Sequence, residues 1–422
     1  MLQPTHFPFI DTPGTVYVVG GAVRDELLNT PIKDHDWVIV GATPEQMTKA
    51  GYQQVGADFP VFLHPETKEE YALARTERKR GRGYHGFVCD FDSSVTLEQD
   101  LERRDLTINA MARSKNGELI DPFCGKADLE ARILRHVSPA FMEDPLRILR
   151  IARFSARFAP LGFSIAPETM TQMKEMVDAG ELRDLTPERV WQETSRALAE
   201  NVPLRYFEVL RSCGALKELM PELESLFGIP QPEKHHPEID CGLHAFLSLE
   251  TACQLSDSIA VRFAALIHDL GKALTPEAQW PKHHGHELSG LKPIKTLCER
   301  LRVSNHEKKL ALLACQYHTH IHRAFELRPE TVLKVIKACD ALRKPELFEE
   351  ILLVCIADAR GRTGFEAEPY PQAEYFRRAL QIAKHIDVKE LVRSGLKGKE
   401  LGEAIDNARI NELKQLKESR QN

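Results

Sequence analysis

Val16–Val40 reads VYVVGGAVRDELLNTPIKDHDWVIV. The apolar run Val16–Val19 predicts a buried strand, and Val23–Leu28 predicts a short helix opening straight after Gly20-Gly21. Paired glycines let a backbone approach a phosphate closely, and a helix start turns N–H groups towards it. Asp34 and Asp36 then lead into a second apolar run, Trp37–Val40. In extended chain alternate residues leave the same face, so these carboxylates should project together, about 7 Å apart along the strand. Hard carboxylates on one rigid edge beside a phosphate cradle suit Mg²⁺ and a nucleoside triphosphate. Either feature alone fits a strand–turn–strand with an acidic turn. Both together, in this order, favour a nucleotide site.

The chain has 422 residues, too many for one core; roughly two to four domains are expected. Hydrophobic content of 42% and charged content of 28% fit an ordinary soluble protein. No apolar run approaches the roughly 18 residues of a membrane span, and no export signal opens the chain. Nine cysteines without a C-x-x-C suit free thiols in a reducing compartment, so a cytoplasmic location is expected. A net charge of −6 argues against nonspecific nucleic-acid affinity, leaving RNA binding to local basic patches. One such patch is Arg75–Gly86, RTERKRGRGYHG, which reads as a mobile basic loop near triphosphate or RNA backbone.

Met1–Thr15 reads as a loosely held extension. From Val16 to about Ile120, short apolar runs (Val16–Val19, Trp37–Val40, Val61–Leu63, Glu70–Ala74, Gly117–Ile120) alternate with helical pieces. From Phe141 onward strand signals stop, and Phe141–Phe158, Glu188–Ala199 and Leu204–Leu210 carry helical spacing. The proline-rich stretch Leu226–His236 is the expected domain boundary, followed by a histidine-bearing helical block, Leu243–Asp358, and a helical tail, Lys389–Asn422. The expected organisation is an extension (1–15), an α+β head with one mixed sheet (16–140), an all-α neck and body (141–227), a histidine-rich helical domain (228–360) and a tail (361–422).

Asp34 and Asp36 would hold two metal ions, one serving the attacking hydroxyl and one the triphosphate, as nucleotidyl transfer asks. Glu70, opening a neighbouring strand, is a candidate third carboxylate. In Arg103-Arg104-Asp105-LTINAMA, Arg104 suits a triphosphate, with Asp105 and Asn109 on one helical face holding a sugar or each other. In Glu143-Asp144-Pro145-Leu146-Arg147, continuing to Arg150 and Arg153, a row of arginines follows an acidic helix start. A macrodipole explains the charges but not the repeated choice of a rigid planar fork over lysine.

GGAVRD, KDHDWVIV, RRDLTINA and EDPLRILRIARF, in this order, resemble the bacterial CCA-adding tRNA nucleotidyltransferases, a class shared with bacterial poly(A) polymerases. The resemblance implies a nucleotidyltransferase head whose single site adds C, C and A to the 3′ end of tRNA from CTP and ATP. It implies that Gly21 and Arg24 contact the incoming nucleotide and that Asp34 and Asp36 bind Mg²⁺. Arg104, Arg150 and Arg153 would contact the triphosphate and base region, with Asp105 beside them. Asp144 and Arg147 resemble the pair that reads the base edge. Chemistry agrees: a carboxylate accepts from the exocyclic amine of C or A, whereas uracil presents an acceptor there and would leave Asp144 unpaired.

Of the seventeen histidines, eleven lie between His235 and His322. His268-Asp269 ends an apolar helix, after His244 and before His283, His284, His286, His318, His322 and Asp358. A mixed nitrogen and oxygen set suits Ni²⁺ or another transition metal rather than Mg²⁺ alone. The pattern resembles the HD phosphohydrolases, whose H…HD…D maps to His244, His268, Asp269 and Asp358. That implies phosphatase, 2′-nucleotidase and 2′,3′-cyclic phosphodiesterase activity, suited to repairing tRNA ends. A monomer or homodimer is expected. Rival readings are a poly(A) polymerase, an enzyme adding only CC or only A, a protein-uridylylating enzyme and a noncatalytic RNA-binding scaffold.

Overall fold

The computed structural model describes residues 12–55, 61–79, 87–393 and 395–419. Most of the extension, 1–11, and the glycine-rich part of the basic run, 80–86, lie outside the described residues. The chain divides into two units, Met1–Ala197 with Arg205–Glu218, and Leu198–Leu204 with Leu219–Asn422. The stretch Leu226–His236 therefore lies inside the second unit rather than between the two.

Two near-continuous apolar runs become the middle of a sheet because both their faces are covered. In β1 (Thr15–Val19) and β2 (Asp36–Val40), Val18, Val19, Val38 and Ile39 are buried. The strands pair antiparallel, with Val16 opposite Ile39 and Val19 opposite Asp36. Between them runs α1 (Gly21–Leu27). The chain continues through β3 (Gln53–Val55), β4 (Val61–Leu63), β5 (Glu70–Leu73), a separate hairpin of β6 (Thr76–Lys79) and β7 (Phe87–Asp90), then β8 (Ala112–Ser114) and β9 (Leu119–Ile120). The sheet order is β3-β4-β5-β2-β1-β8-β9. It is mixed, since β5 runs parallel to β2 while the other neighbours are antiparallel.

That register gathers chemistry at one end. Trp37 faces Tyr71 in parallel register, so Asp36 and Glu70 open adjacent strands at the same edge. Gly20 follows the end of β1, and its N–H donates to the Met111 carbonyl just ahead of β8. The predicted Val61–Leu63, Glu70–Ala74 and Gly117–Ile120 strands are present, the last as Leu119–Ile120.

Strands do not stop wholly at Phe141. β10 (Ile133–Leu134) pairs in parallel with β11 (Ser164–Ile165), two residues each and too short to carry a period in the sequence. The predicted helix over 141–158 is split. A 3₁₀ turn spans Pro139–Glu143, Asp144 is extended, and α2 (Leu146–Phe158) starts after Pro145. Pro145 suits a helix start because its missing N–H would be unpaired there anyway. Ile148, Leu149, Ile151 and Ala152 of α2 are fully buried. Farther on, α3 (Pro187–Leu198) closes the part of the first unit that matters for the site.

The second unit is helical. α4 (Cys241–Leu255) starts at Asp240, whose side chain accepts from the Leu243 N–H at 2.9 Å. α5 (Ile259–Ile267) is apolar almost all round, and Ala260–Ile267 are buried, so it forms the middle of the bundle. α6 (Asn305–His322) and α7 (Pro345–Arg360) pack against it and against each other. No helix among the described residues is long and apolar enough to cross a membrane.

Candidate nucleotide and metal sites

The first unit holds a cavity of about 510 Å³ whose walls carry nine arginines: Arg24, Arg75, Arg103, Arg104, Arg147, Arg150, Arg153, Arg157 and Arg189. Gly20, Gly21 and Asp36 form one side, and Asp105, Asn109, Asp144 and Phe154 contribute to the rest. Gly20 has φ of +70°, a conformation that favours glycine, and a Cβ added there would lie 2.7 Å from Arg104 Nη1, so a side chain would also push that guanidinium aside.

Asp36 is exposed and lines the cavity, with Oδ2 3.8 Å from the Cβ position of Gly20. Asp34 is exposed too, just ahead of β2, and is not among the lining residues. Among the described residues, neither carboxylate meets a protein donor. The free carboxylate of Asp36 on this arginine-lined rim, with that of Asp34 two residues ahead of it, offers hard oxygen ligands that fit a divalent cation carried with a polyphosphate. Glu70 is exposed at the same strand edge, yet no described set of three ligand atoms within 4.8 Å includes Asp34, Asp36 or Glu70.

The arginines are mostly anchored. Arg24 is buried, donating to Asp25 Oδ1 at 2.8 Å and to Asn109 Oδ1, and it lies over the rings of Phe154 and Phe158. Burial lowers its pKa. Arg104 donates to Asp100 Oδ2 at 3.2 Å, beneath the cavity. Arg153 donates to Glu193 Oε2 at 2.7 Å and lies 4.7 Å from the centre of the Phe154 ring.

Asp105 and Asn109 do not share a helical face: a helix ends at Glu102 and only a 3₁₀ turn, Thr107–Asn109, follows. They hold each other instead, Asn109 Nδ2 donating to Asp105 Oδ1 at 2.9 Å. The Leu106 N–H and Arg150 Nε complete the set around Asp105, leaving it in the floor of the cavity with protein donors on both oxygens. Burial opposes its ionisation, but Arg150 and Asn109 hold the carboxyl far below its ordinary range.

Asp144 and Arg147 both line the cavity, each fixed separately. Arg147 donates to the carbonyls of Ala140 at 2.7 Å and Arg103 at 2.6 Å. Asp144 Oδ1 accepts from the Leu146 N–H at 3.0 Å, and its Oδ2 from Arg189 Nη2 at 3.3 Å. Arg157, which donates to Asp25 Oδ2 at 3.0 Å, continues the row 147, 150, 153 and was legible from that spacing. Arg189, from α3, had no local signal.

In the second unit the structure brings His244, His268, Asp269 and Asp358 together, all buried. His244 Nε2 lies 3.0 Å from Asp358 Oδ1, and His268 Nε2 lies 3.2 Å from Asp269 Oδ2 and 3.5 Å from Asp358 Oδ2. His286, His318, His322 and Lys272 complete the cluster. Lys272 Nζ reaches Asp269 Oδ2 at 2.6 Å, and His322 Nε2 reaches Asp358 Oδ2 at 2.6 Å. Gly271 permits this closeness, since a Cβ there would collide with the His286 carbonyl. His283 stands apart, bonded to Thr275 and the Pro230 carbonyl, and His284 is exposed.

Burial opposes ionisation of Asp269 and Asp358. His268 with Lys272, and His268 with His322, nevertheless hold the two carboxyls well below their ordinary range. Burial likewise opposes the charge on His268, yet the same carboxylates push its pKa up to about 10. His318 is pushed down to about 3, chiefly by burial. His268 Nε2 and Asp269 Oδ1 are buried without an aligned hydrogen-bond partner among the described residues. Ionised buried carboxylates beside histidine nitrogens, with one nitrogen and one oxygen left without aligned partners, supply the mixed donor types that suit a transition-metal ion.

The chain matches family models described as "Poly A polymerase head domain" over residues 16–135, "Probable RNA and SrmB- binding site of polymerase A" over 162–227, and "HD domain" over 243–362. It is 60% identical, over 95% of each chain, to the multifunctional CCA protein of Hahella chejuensis. Among solved structures it resembles a CCA-adding enzyme in complex with ATP (TM-score 0.62, 22% identity, covering 94% of this chain and 86% of that one). It also resembles the Thermotoga maritima CCA-adding enzyme complexed with tRNA (TM-score 0.59, 21% identity, covering 96% and 90%). Those two likenesses concern the fold; the identity to the curated relative, over nearly the whole length of both, shows that the chain belongs to the multifunctional CCA protein family.

Proposed function

We propose that this chain adds and repairs the 3′-terminal CCA of tRNA, drawing CTP and ATP into the arginine-lined cavity of its first unit. The carrying observation is that cavity: Asp36 at its rim, Asp144 and Arg147 fixed on its wall, and arginines throughout. Guanidinium groups give a triphosphate fixed, water-excluding counter-charges, and their anchoring carboxylates keep them aimed before the nucleotide arrives. Asp144 accepts the exocyclic amine of C or A, and Arg147 donates to the neighbouring ring acceptor. Asp34 and Asp36 hold Mg²⁺, which supplies Lewis-acid activation of the α-phosphate and of the tRNA 3′-hydroxyl. The substrates place the reaction in the cytoplasm.

In the second unit we read a metal-dependent phosphohydrolase on His244, His268, Asp269 and Asp358, with Ni²⁺ or a similar ion. A 2′,3′-cyclic phosphodiesterase adds water to open the cyclic phosphate to a monoester and frees one ribose hydroxyl, and phosphatase or 2′-nucleotidase activity then releases the remaining phosphate. Such a unit prepares damaged tRNA ends for the first.

Labelled CTP and ATP offered to tRNA lacking the last three, two or one nucleotides test the polymerising reading. Completion of CCA from all three supports it. A long A tail, or addition stopping after CC or requiring it, would establish one of the rival transferases instead. Hydrolysis of 2′,3′-cyclic AMP by metal-loaded protein, lost in His268→Ala, tests the second reading.

A further inference from the structure

A cavity of about 400 Å³ opens in the second unit, within the roughly 300–1,000 Å³ of small-ligand sites. Asp358 and His322 line it, so it borders the histidine cluster. Most of the remaining lining belongs to the segment that joins α7 to α8 (Pro371–Lys384). That segment is pinned to the cluster at both ends. The Gly361 carbonyl lies 3.0 Å from His244 Nδ1, and the Tyr370 hydroxyl lies 2.7 Å from His322 Nδ1. A Cβ on Gly361 would come within 2.7 Å of the Ala357 carbonyl oxygen and the Ser248 backbone, so the chain passes here only as glycine. The wall is held in place before any ligand arrives, which lowers the cost of binding.

Two cations on that wall keep their charge. Arg360 Nε donates to the Glu368 carbonyl at 3.0 Å. Arg362 donates through Nε to the Ala359 carbonyl at 2.7 Å and through Nη1 to the His235 carbonyl at 3.1 Å. Neither guanidinium is paired with a carboxylate among the described residues. Glu368 also lines the cavity, but Arg360 meets its backbone carbonyl rather than its carboxylate. In the first unit, by contrast, Arg24, Arg104, Arg150 and Arg153 are all held by carboxylates. A carbonyl aims a guanidinium without cancelling its charge, so both forks keep their full attraction for an outside anion. Phe365, half-buried, lines the same cavity, and the Arg362 guanidinium carbon lies 4.3 Å from its ring centre. An aromatic ring paired with arginine is a platform on which an unpaired base stacks.

We propose that this cavity seats the 3′-terminal nucleotide of an RNA strand: Phe365 takes the base, and Arg360 and Arg362 take the phosphodiester joining that nucleotide to the one before it. The blocked ribose end then lies towards Asp358. The inference rests on the phosphohydrolase reading of the second unit and names the class of substrate it takes. The reacting phosphate is served at the histidine cluster, so two further uncancelled cations call for a second anion. A free cyclic mononucleotide has none; a nucleotide at the end of a strand always does.

Hydrolysis of 2′,3′-cyclic AMP and of a five-nucleotide RNA ending in a 2′,3′-cyclic phosphate, by the metal-loaded full chain, tests the seat. The RNA should have the higher kcat/KM, by roughly tenfold at low salt, and log kcat/KM for it should fall with log salt by about 0.7 per phosphate contact. That slope needs no variant. Arg360→Gln and Arg362→Gln should each flatten it by about 0.7 and bring the RNA-to-mononucleotide ratio towards one. Phe365→Ala should raise KM for both substrates roughly tenfold with a much smaller change in kcat, and Phe365→Trp should restore it. Equal kcat/KM for the two substrates, or arginine variants that lower both alike, overturns the seat and leaves the phosphohydrolase standing. Hydrolysis of neither substrate removes that reading and the seat with it.

Discussion

Arg150 and Asp105 meet through Nε at 2.8 Å and Nη2 at 2.7 Å, both nitrogens donating to the same carboxylate oxygen. The bond ties α2 to the turn after Arg104, across forty-five residues. Arg150 thus fixes the cavity floor as well as charging it. Arg150→Ala would leave a buried carboxylate without its cation, at a cost of about 3 kcal/mol. Urea or thermal unfolding of the first unit checks this; a loss under about 1 kcal/mol, typical of exposed pairs, would make the contact incidental.

The same pair sets an acid limit. Folded Asp105 has its carboxyl pKa depressed, so it binds a proton less readily than in the unfolded chain, where the ordinary value is 3.8. Its contribution is complete above that value and is lost as pH falls through the folded pKa. Asp100, lowered by Arg103 and Arg104 despite its burial, adds in the same direction. Unfolding free energy of the first unit should fall as pH drops below about 4. Asp105→Asn should flatten that fall; an unchanged slope would remove Asp105 from the account.

Nucleotide choice should depend on Asp144 more than turnover does. One bidentate base contact is worth about 1–3 kcal/mol, so Asp144→Ala should cut preference for CTP over UTP by roughly 10- to 100-fold. Arg189→Ala removes the donor to Asp144 Oδ2 and should blur the preference less, since the Leu146 N–H still holds Oδ1. Competition between labelled CTP and UTP measures both. Equal loss with every nucleotide would make Asp144 a structural cap only.

What the sequence showed and hid follows from distance along the chain. The apolar runs, Gly20-Gly21, the aspartates and the arginine row were legible because strand and helix periods place neighbours locally. The pairing of Asp144 with Arg189, and of Arg104 with Asp100 under the cavity, was not, since carboxylates of equal local appearance compete until the fold selects one. Asp105 looked like a ligand contact for the same reason, and its oxygens turned out to serve Arg150, Asn109 and Leu106. His286 and His318 stood in a visible cluster, but only the close approach permitted by Gly271 separates them from His283, which packs elsewhere.

Asp36 lines the cavity and Asp34 is not among the lining residues, so the two substitutions need not be equal. Asp36→Asn keeps shape and removes charge. A lost hard ligand costs several kcal/mol of transition-state stabilisation, so CTP incorporation should fall roughly 10²- to 10³-fold. Asp34→Asn should fall comparably where both carboxylates hold the cation. Incorporation undiminished in the double variant would end the polymerising assignment.

Stripping metal should act on the second unit alone. Without an ion, Asp269 and Asp358 rely on His268, Lys272 and His322 for compensating charge, and Asp269 Oδ1 remains buried without an aligned partner among the described residues. An ion bound only by the folded state, at a hundred times its dissociation constant, adds about 2.7 kcal/mol. Calorimetry should therefore show one of two transitions moving down after chelation and returning with Ni²⁺ or Mn²⁺. His268→Ala should abolish the recovery. If both transitions ignore the chelator, or both move together, the histidine cluster is not where the metal acts.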